Sequence, residues 1–432
     1  MGTVDFPNLQ QLLAFVAVAR LESLSKAAAE LHRSQPGVTQ TLAKLERELD
    51  VHLLERSHSG SYLTACGRIL HLRTQRLFTE VELALTAPLI GPPFADRSRL
   101  GPILRKVTSN HLRCLVALAD SSSIESAARC VNISAPSLNR ILRELGHIIG
   151  RRLTRDTVHG VSLTRQAAEL ARRLNLARKE IEYAREEIAA ARGAAQTHIV
   201  IGIMPQCAIA TLVSSIDEFL RREPEARVKV EQKPYDSLLA DLRTGRIDFL
   251  YGVLRKPDWA NDVHEEPLLT NPYSIMVRKH HPLTRQRSIS LEDLADYDWI
   301  LPRPGTPRRT AFESLFQRSR RKPTSAIETS AIDIQVAMVA ASDRITMVPA
   351  YEITRAADAG AIVALDFRLR IARGHDGVAT RAGWHPTAGK LSFLEILRDH
   401  ARLACASEKS STERVRPNSR IRCSSKEAAV SP

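Results

Sequence analysis

Groups able to bind a small polar molecule gather at three short stretches in the second half of the chain. Gln206 and Cys207 lie in "MPQC", Arg303 and Thr306 in "LPRPGT" with Arg308 just beyond, and Ser330 in "ETSA". Amides and hydroxyls donate or accept hydrogen bonds, and a guanidinium can hold a carboxylate through two parallel bonds. Together these residue types point to non-covalent capture of a small organic acid or sugar acid. The alternative use for each is helix capping or loop surface, and for Cys207 a redox-sensing or inert thiol. Catalysis lacks an equivalent constellation, because no Ser/His/Asp order, phosphate-cradling glycine loop, carboxylate pair or metal-ligand spacing occurs there. An enzyme acting on a small acid through Cys207 or His280 and His281 is the alternative reading.

These stretches are placed by alternating strands and helices. "HIVIGI" from His198 reads as a buried strand, and Leu212, Val213, Ile216, Phe219 and Leu220 read as one helix face. "VKV" and "FLYGV" are further short strands. Such alternation predicts two small α/β lobes with mainly parallel sheets, in which ligands sit beyond the carboxyl ends of strands.

The first half reads differently. Leu9, Leu12, Leu13 and Val16 line one helix, a short helix surrounds Ala27 and Ala28, and Ser34 with Pro36 caps a third helix whose ladder is Val38, Leu42, Leu45 and Leu49. "ERSHSGSYLT" then reads as a wing of two short strands, completing a winged helix-turn-helix. The pattern returns one hundred residues later without a gap: Leu112, Val116, Ala127, Ala128, Ser134, Pro136, Leu142, Leu145, Leu153, Gly160 and Leu163 repeat the framework. This is an internal duplication. What differs lies on the outer face, where Ala135 stands for Gln35, Gly146 for Glu46 and Asp156 for Arg56.

After the second wing, Ala167, Leu170, Leu174, Ala177, Ile181, Ala184, Ile188 and Ala191 form a heptad-like seam, expected to join two copies of the chain. The seam after the first wing is poorer, because Arg73 and Glu80 interrupt it. Prolines and glycines from Pro88 to Pro102 are expected to stop any helix there.

The 432 residues carry 62 Lys and Arg against 48 Asp and Glu, a net charge of +14 that favours a polyanionic partner, with residues 102–196 the most basic segment. The six cysteines show no metal-ligand spacing or disulfide framework, and no apolar run is long enough to span a bilayer, so a cytoplasmic location without metal, cofactor or membrane partner is expected. The expected units are 1–87 and 105–195, each a winged helix-turn-helix, with 88–104 a linker, 196–405 a ligand-binding region and 406–432 a disordered basic tail.

The stretch "LLAFVAVARLESLSKAAAELHRSQPGVTQTLAKLERELDVHLLERSHSGSYLTACG" strongly resembles the DNA-binding region of LysR-type transcriptional regulators. The Ala-Ala pair, the Ser-Gln-Pro opening, Leu53 to Arg56 and Leu63 to Gly67 carry the likeness. "IVIGIMP", "LRTGRIDFLYG", "HHPL" and "SDRITMVP" resemble the effector domain of the same family. The resemblance implies two winged helix-turn-helix units followed by a two-lobed, periplasmic-binding-protein-like α/β domain. A second unit is itself a departure from the family pattern.

By the same resemblance, Ser34, Gln35, Pro36, Thr39 and Gln40 face the major groove, with Arg33 and Arg56 near phosphates or the minor groove. Gln35 suits bidentate pairing with adenine, and Gln40 stands where an arginine is common. Arg140 and Arg143 keep the second unit basic and suited to phosphate. The implied function is a DNA-binding regulator controlled by a small effector, acting as a dimer or tetramer and contacting RNA polymerase. The alternative for the second unit is a protein-interaction module.

Overall fold

Serine caps and leucine ladders fold as the sequence predicts. In the computed structural model, which describes residues 6–57, 60–86, 100–158, 160–194, 196–205, 207–255, 261–357, 360–369, 371 and 374–414, the first unit comprises α1 (Leu9–Leu21), α2 (Leu24–Glu30), α3 (Gln35–Leu49), β1 (Leu54–Ser57), β2 (Gly60–Leu63) and α4 (Ala65–Thr86). The second adds α5 (Leu100–Lys106) and then repeats the order as α6 (Ser109–Ala119), α7 (Ile124–Cys130), α8 (Ala135–Ile149), β3 (Thr154–Thr157), β4 (Gly160–Leu163) and α9 (Arg165–Ala191). Ser34 and Ser134 accept from the amides of Gly37 and Ser137 at 3.2 and 3.3 Å, so both recognition-type helices begin in the same way. Proline in the first turn loses no helical hydrogen bond.

The two units do not fold around separate cores. Phe15, Leu42 and Leu77 of the first and Leu115, Leu142 and Leu174 of the second belong to one buried cluster. The seam on α9 is therefore spent within the chain. Leu174 and Ile181 are buried against α4, and no open seam is left there for another copy. Arg73 and Glu80, expected to interrupt α4, instead hold it in place. Arg73 donates to Glu180 at 3.0 Å and also bonds Glu187, while Arg173 donates to Glu80 at 3.2 Å. Because residue 73 meets 180 and residue 80 meets 173, the two helices run antiparallel.

Two local expectations change. Gly101 and Pro102 do not stop a helix but lie in the first turn of α5, where proline is tolerated. Residues 406–414 continue α16 instead of beginning a tail, while 415–432 and most of the expected linker, 88–99, lie outside the described residues.

The C-terminal region forms two lobes. The first holds β5 (His198–Ile203), α10 (Ile209–Arg222), β6 (Arg227–Gln232), α11 (Tyr235–Thr244), β7 (Phe249–Val253) and β8 (Val263–Asn271). The chain crosses at Pro272 into the second, with β9 (Tyr273–Arg278), α12 (Leu291–Ala295), β10 (Ile300–Leu301), α13 (Pro307–Leu315), β11 (Ile327–Glu328), α14 (Ile332–Ala340), β12 (Thr346–Pro349), α15 (Ala350–Ala357) and β13 (Ile362–Ala364). It then returns to the first lobe as β14 (Gly374–Arg381) and α16 (Ala388–Arg414). The first sheet has the order β6-β5-β7-β14-β8, parallel at β6-β5-β7 and antiparallel where β14 joins. On α10, Leu212 and Phe219 are buried as predicted, but Val213 is 56% exposed and Leu220 37%. With Ile209, they leave an apolar stripe uncovered.

The helical head is bolted to the first lobe through Tyr183 on α9. Its hydroxyl donates to Asp248 at 3.0 Å and accepts from Trp384 at 3.2 Å. Arg73 also donates to the carbonyl of His385 at 2.8 Å, so one side chain joins α4, α9 and the lobe.

Candidate nucleic-acid interface and effector cleft

On α3, Ser34, Gln35, Pro36 and Gln40 are exposed and Thr39 is half-buried. Ser25 donates to the Gln35 Oε1 at 3.0 Å, and Arg33 donates to the Gln10 Oε1 at 3.1 Å. The predicted residues therefore share one accessible face around the helix start, with the exposed Lys44 and Arg47 farther along the same helix. The Arg56 side chain lies outside the described residues. Glu46 has a structural role, accepting from the amides of Leu53 and Leu54 at 2.7 and 3.4 Å. In the second unit Gly146 takes its place because the chain passes too close: a Cβ there would lie 2.6 Å from the Arg151 carbonyl oxygen.

On α8, Arg140 and Arg143 are exposed, with Ser134 and Pro136, while Ala135 is half-buried. Asp156, which stands in the wing where the first unit has Arg56, lies 3.9 Å from Arg152. Both side chains are largely exposed, so this pair softens the negative charge without burying it.

Between the lobes the structure assembles a different set from the one legible in sequence. Asp376 on β14 is fully buried and accepts from the Ala208 amide at 2.7 Å and from Asn271 Nδ2 at 3.2 Å. It is aimed there by an irregularity in the β14–β8 pairing between Asp376 and Gly377. A Cβ on Gly377 would meet the Glu266 carbonyl oxygen at 2.1 Å, so only glycine allows that approach. Opposite stand Tyr351 and buried Glu352 at the start of α15.

From α13, Arg308 is buried and donates to Gln335 Oε1 at 3.2 Å, and Gln335 in turn donates to the Thr329 carbonyl beside Ser330. Among the described residues no carboxylate lies within ion-pairing distance of Arg308. Burial pulls its guanidinium down to about 10. Tyr273, Glu352 and Tyr351 act on it electrostatically without an ion pair, and a guanidinium so placed can still take an acidic ligand.

Of the predicted ligand-binding residues, Ser330 adjoins this cluster, and Cys207 lies next to Ala208, which binds Asp376. Cys207 is buried, and burial pushes its thiol up to about 12, so it is not a reactive thiolate. Arg303 is exposed, and the Thr306 hydroxyl caps α13, accepting from Arg309 at 3.3 Å. Of the two arginines expected to suit a carboxylate, Arg308 is the buried one. Gln206 lies outside the described residues. A separate hollow of about 700 Å³ lies between the second unit, α9 and α11, where Arg172 pairs with Glu169, Arg243 with Asp262 and Arg246 with Asp120, and Arg165 is exposed at its edge.

Burial pushes the Asp376 carboxyl up to about 6, aided by neighbouring Glu352. Between about pH 4 and that value the native state keeps a proton that the unfolded chain has lost, so this group stabilises the fold below pH 4 and progressively less as pH rises to 6. Asp376→Asn should remove that decline, which amounts to at most about 3 kcal/mol. Urea midpoints measured from pH 4 to 7 check this, and an equal decline in the variant would exclude Asp376 as the source.

Two family models match the chain. "Bacterial regulatory helix-turn-helix protein, lysR family" matches residues 9–68 and again 109–168, and "LysR substrate binding domain" matches 160–402. The HTH-type transcriptional regulator GalR of Pseudomonas putida is 27% identical over 399 residues, covering 92% of this chain and 98% of that protein, so the similarity runs through both helical units. GbpR of Rhizobium radiobacter is 28% identical over 237 residues, 53% of this chain and 77% of that one. Full-length OxyR from Pseudomonas aeruginosa, in a variant form, shares the fold with a TM-score of 0.51 at 22% identity, over 69% of this chain and 95% of that one. Catalysis in the lobes is set aside by this relationship: the chain belongs to the LysR family of transcriptional regulators, with a DNA-binding helical region and an effector-binding α/β region.

Proposed function

We propose that this regulator reads duplex DNA through the start of α3 and responds to a small anionic effector held between its lobes. In this reading Ser34, Gln35, Pro36, Thr39 and Gln40 enter the major groove, and Arg33 and Arg56 hold phosphates. Arg308 pairs with an acid group of the effector, while Ser330, Gln335 and Asn271 supply hydrogen bonds. The lobes close on it in the manner of periplasmic binding proteins, and the Tyr183 contacts pass the change to the head. The observation that carries this is the buried guanidinium of Arg308, which forms no ion pair among the described residues.

The test pairs DNA retardation with a panel of small carboxylates. Some acid should change the mobility or affinity of the complex, and an uncharged amide of the same acid should not. Gln35→Ala should weaken binding to the preferred site by about 1–3 kcal/mol while leaving non-specific DNA binding intact. Unchanged preference would show that α3 is not the reader.

Self-association in this reading moves from α9, whose seam is spent, to the exposed Ile209, Val213 and Leu220 stripe of α10. Val213→Glu is expected to shift the sedimenting species from dimer to single chain while leaving its far-UV circular dichroism unchanged. A dimer that persists would place the contact elsewhere.

A further inference from the structure

We propose that one chain is a complete two-site DNA-binding head, in which α3 and α8 read two inverted but unlike half-sites. The proposal rests on the DNA-binding reading above and extends it to the second unit.

The relation between the units carries the argument. Arg73 and Arg173 are equivalent positions of the repeat, and so are Glu80 and Glu180. Arg73 pairs with Glu180 and Arg173 pairs with Glu80. Each contact is thus matched by its reciprocal, which is the signature of a two-fold interface between like surfaces. Such an interface normally joins two molecules. Here both surfaces belong to one polypeptide, and the two units share a single core.

A two-fold relation between helix-turn-helix units presents their recognition helices in inverted orientation, as required to span two half-sites on one duplex. Both helices are dressed for that contact. Ser34 and Ser134 cap them with nearly the same backbone angles, φ −73 and ψ 147 against φ −76 and ψ 151. In each, the residue one turn in, Gln40 or Arg140, is exposed. The phosphate-binding charge of the second helix is supplied by Arg143, also exposed, where the first helix carries Ala43.

The halves cannot be read alike. Glutamine pairs with adenine and arginine with guanine, so Gln40 and Arg140 select different bases at matching places. Gln35 can hydrogen-bond a base edge, whereas Ala135 offers only an apolar contact, suited to a thymine methyl. The expected site is therefore an imperfect inverted repeat, richer in guanine on the side of α8. Because its halves differ, such a site fixes the direction in which the chain lies on DNA.

The test is a binding selection from a random duplex library with the full chain, its Gln35→Ala variant and its Arg140→Gln variant. The wild type should enrich two inverted, unlike motifs. Gln35→Ala should lose preference in one motif only, and Arg140→Gln should exchange guanine for adenine in the other only, each by about 5-fold to 100-fold in relative affinity. Arg140 is exposed, so an unchanged thermal unfolding midpoint verifies that the variant is folded. Two identical motifs that both respond to Gln35→Ala, with Arg140→Gln silent, would overturn the proposal, since two chains would then supply one first unit each. A single motif insensitive to Arg140→Gln would overturn it too. No enriched motif with the wild type would defeat the underlying DNA-binding reading, a result distinct from either.

Discussion

Arg73→Met is expected to remove about 3–5 kcal/mol from the stability of the helical head, the loss typical when one partner of a buried ion pair is deleted. Arg73 is only 2% exposed, and its guanidinium ties α4 to Glu180 and Glu187 of α9 and to the carbonyl of His385 in the first lobe. Burial lifts the Glu180 carboxyl, whereas Arg73, which burial alone would lower, is held more firmly protonated by Glu187 and Glu180. These trends conflict over whether the pair is ionic. A guanidinium remains charged under all accessible conditions, and that decides for the ion pair.

The pseudo-equivalent change, Arg173→Met, supplies the internal control. Arg173 pairs with Glu80 at side-chain exposures of 23% and 27%, so water screens that contact and about 1 kcal/mol is expected. Urea unfolding followed by far-UV circular dichroism separates the two. Equal losses would mean that burial does not govern the interface.

Arg308→Met is expected to weaken effector binding by about 2–5 kcal/mol, because the acid group of the ligand would lose its buried partner. Without effector, the same variant should be as stable as the wild type or more so. A buried cation that forms no ion pair among the described residues opposes folding, and methionine fills most of the space. This opposite response of binding and stability is what a merely structural arginine would not produce. Calorimetry with an acid that alters DNA binding, together with thermal unfolding with and without it, reads both quantities. A variant that binds as tightly as the wild type would move the effector away from Arg308.

Local structure was largely legible in the sequence because its causes are local. Ser34 and Ser134 announce helix starts through the amides they cap, Pro36 and Pro136 fit only a first turn, and the leucine ladders mark which face each helix buries. The α/β alternation after His198 identified the strands β5, β6 and β7. Periodicity, however, states that a face is buried and is silent about what buries it. The stripe through Leu174 and Ile181 was expected to meet another chain and instead meets α4 of its own.

The same limit applies to charge. Arg73 read as a flaw in a seam because its partners lie more than one hundred residues away, and a pair at that separation leaves no local trace. In the cleft, loop chemistry led to Arg303, Thr306 and Arg308, while the fold gathered Arg308, Asp376, Asn271 and Gln335 from four separate elements. The sequence alone determined the family, the two units, the capping residues and the polar face of α3. Tertiary structure decided that the units share one core, that their charged side chains pair reciprocally across it, and that Arg308 is buried in the cleft while Arg303 is exposed. Burial and long-range pairing depend on what else the chain brings to the same place, and only the completed fold specifies that.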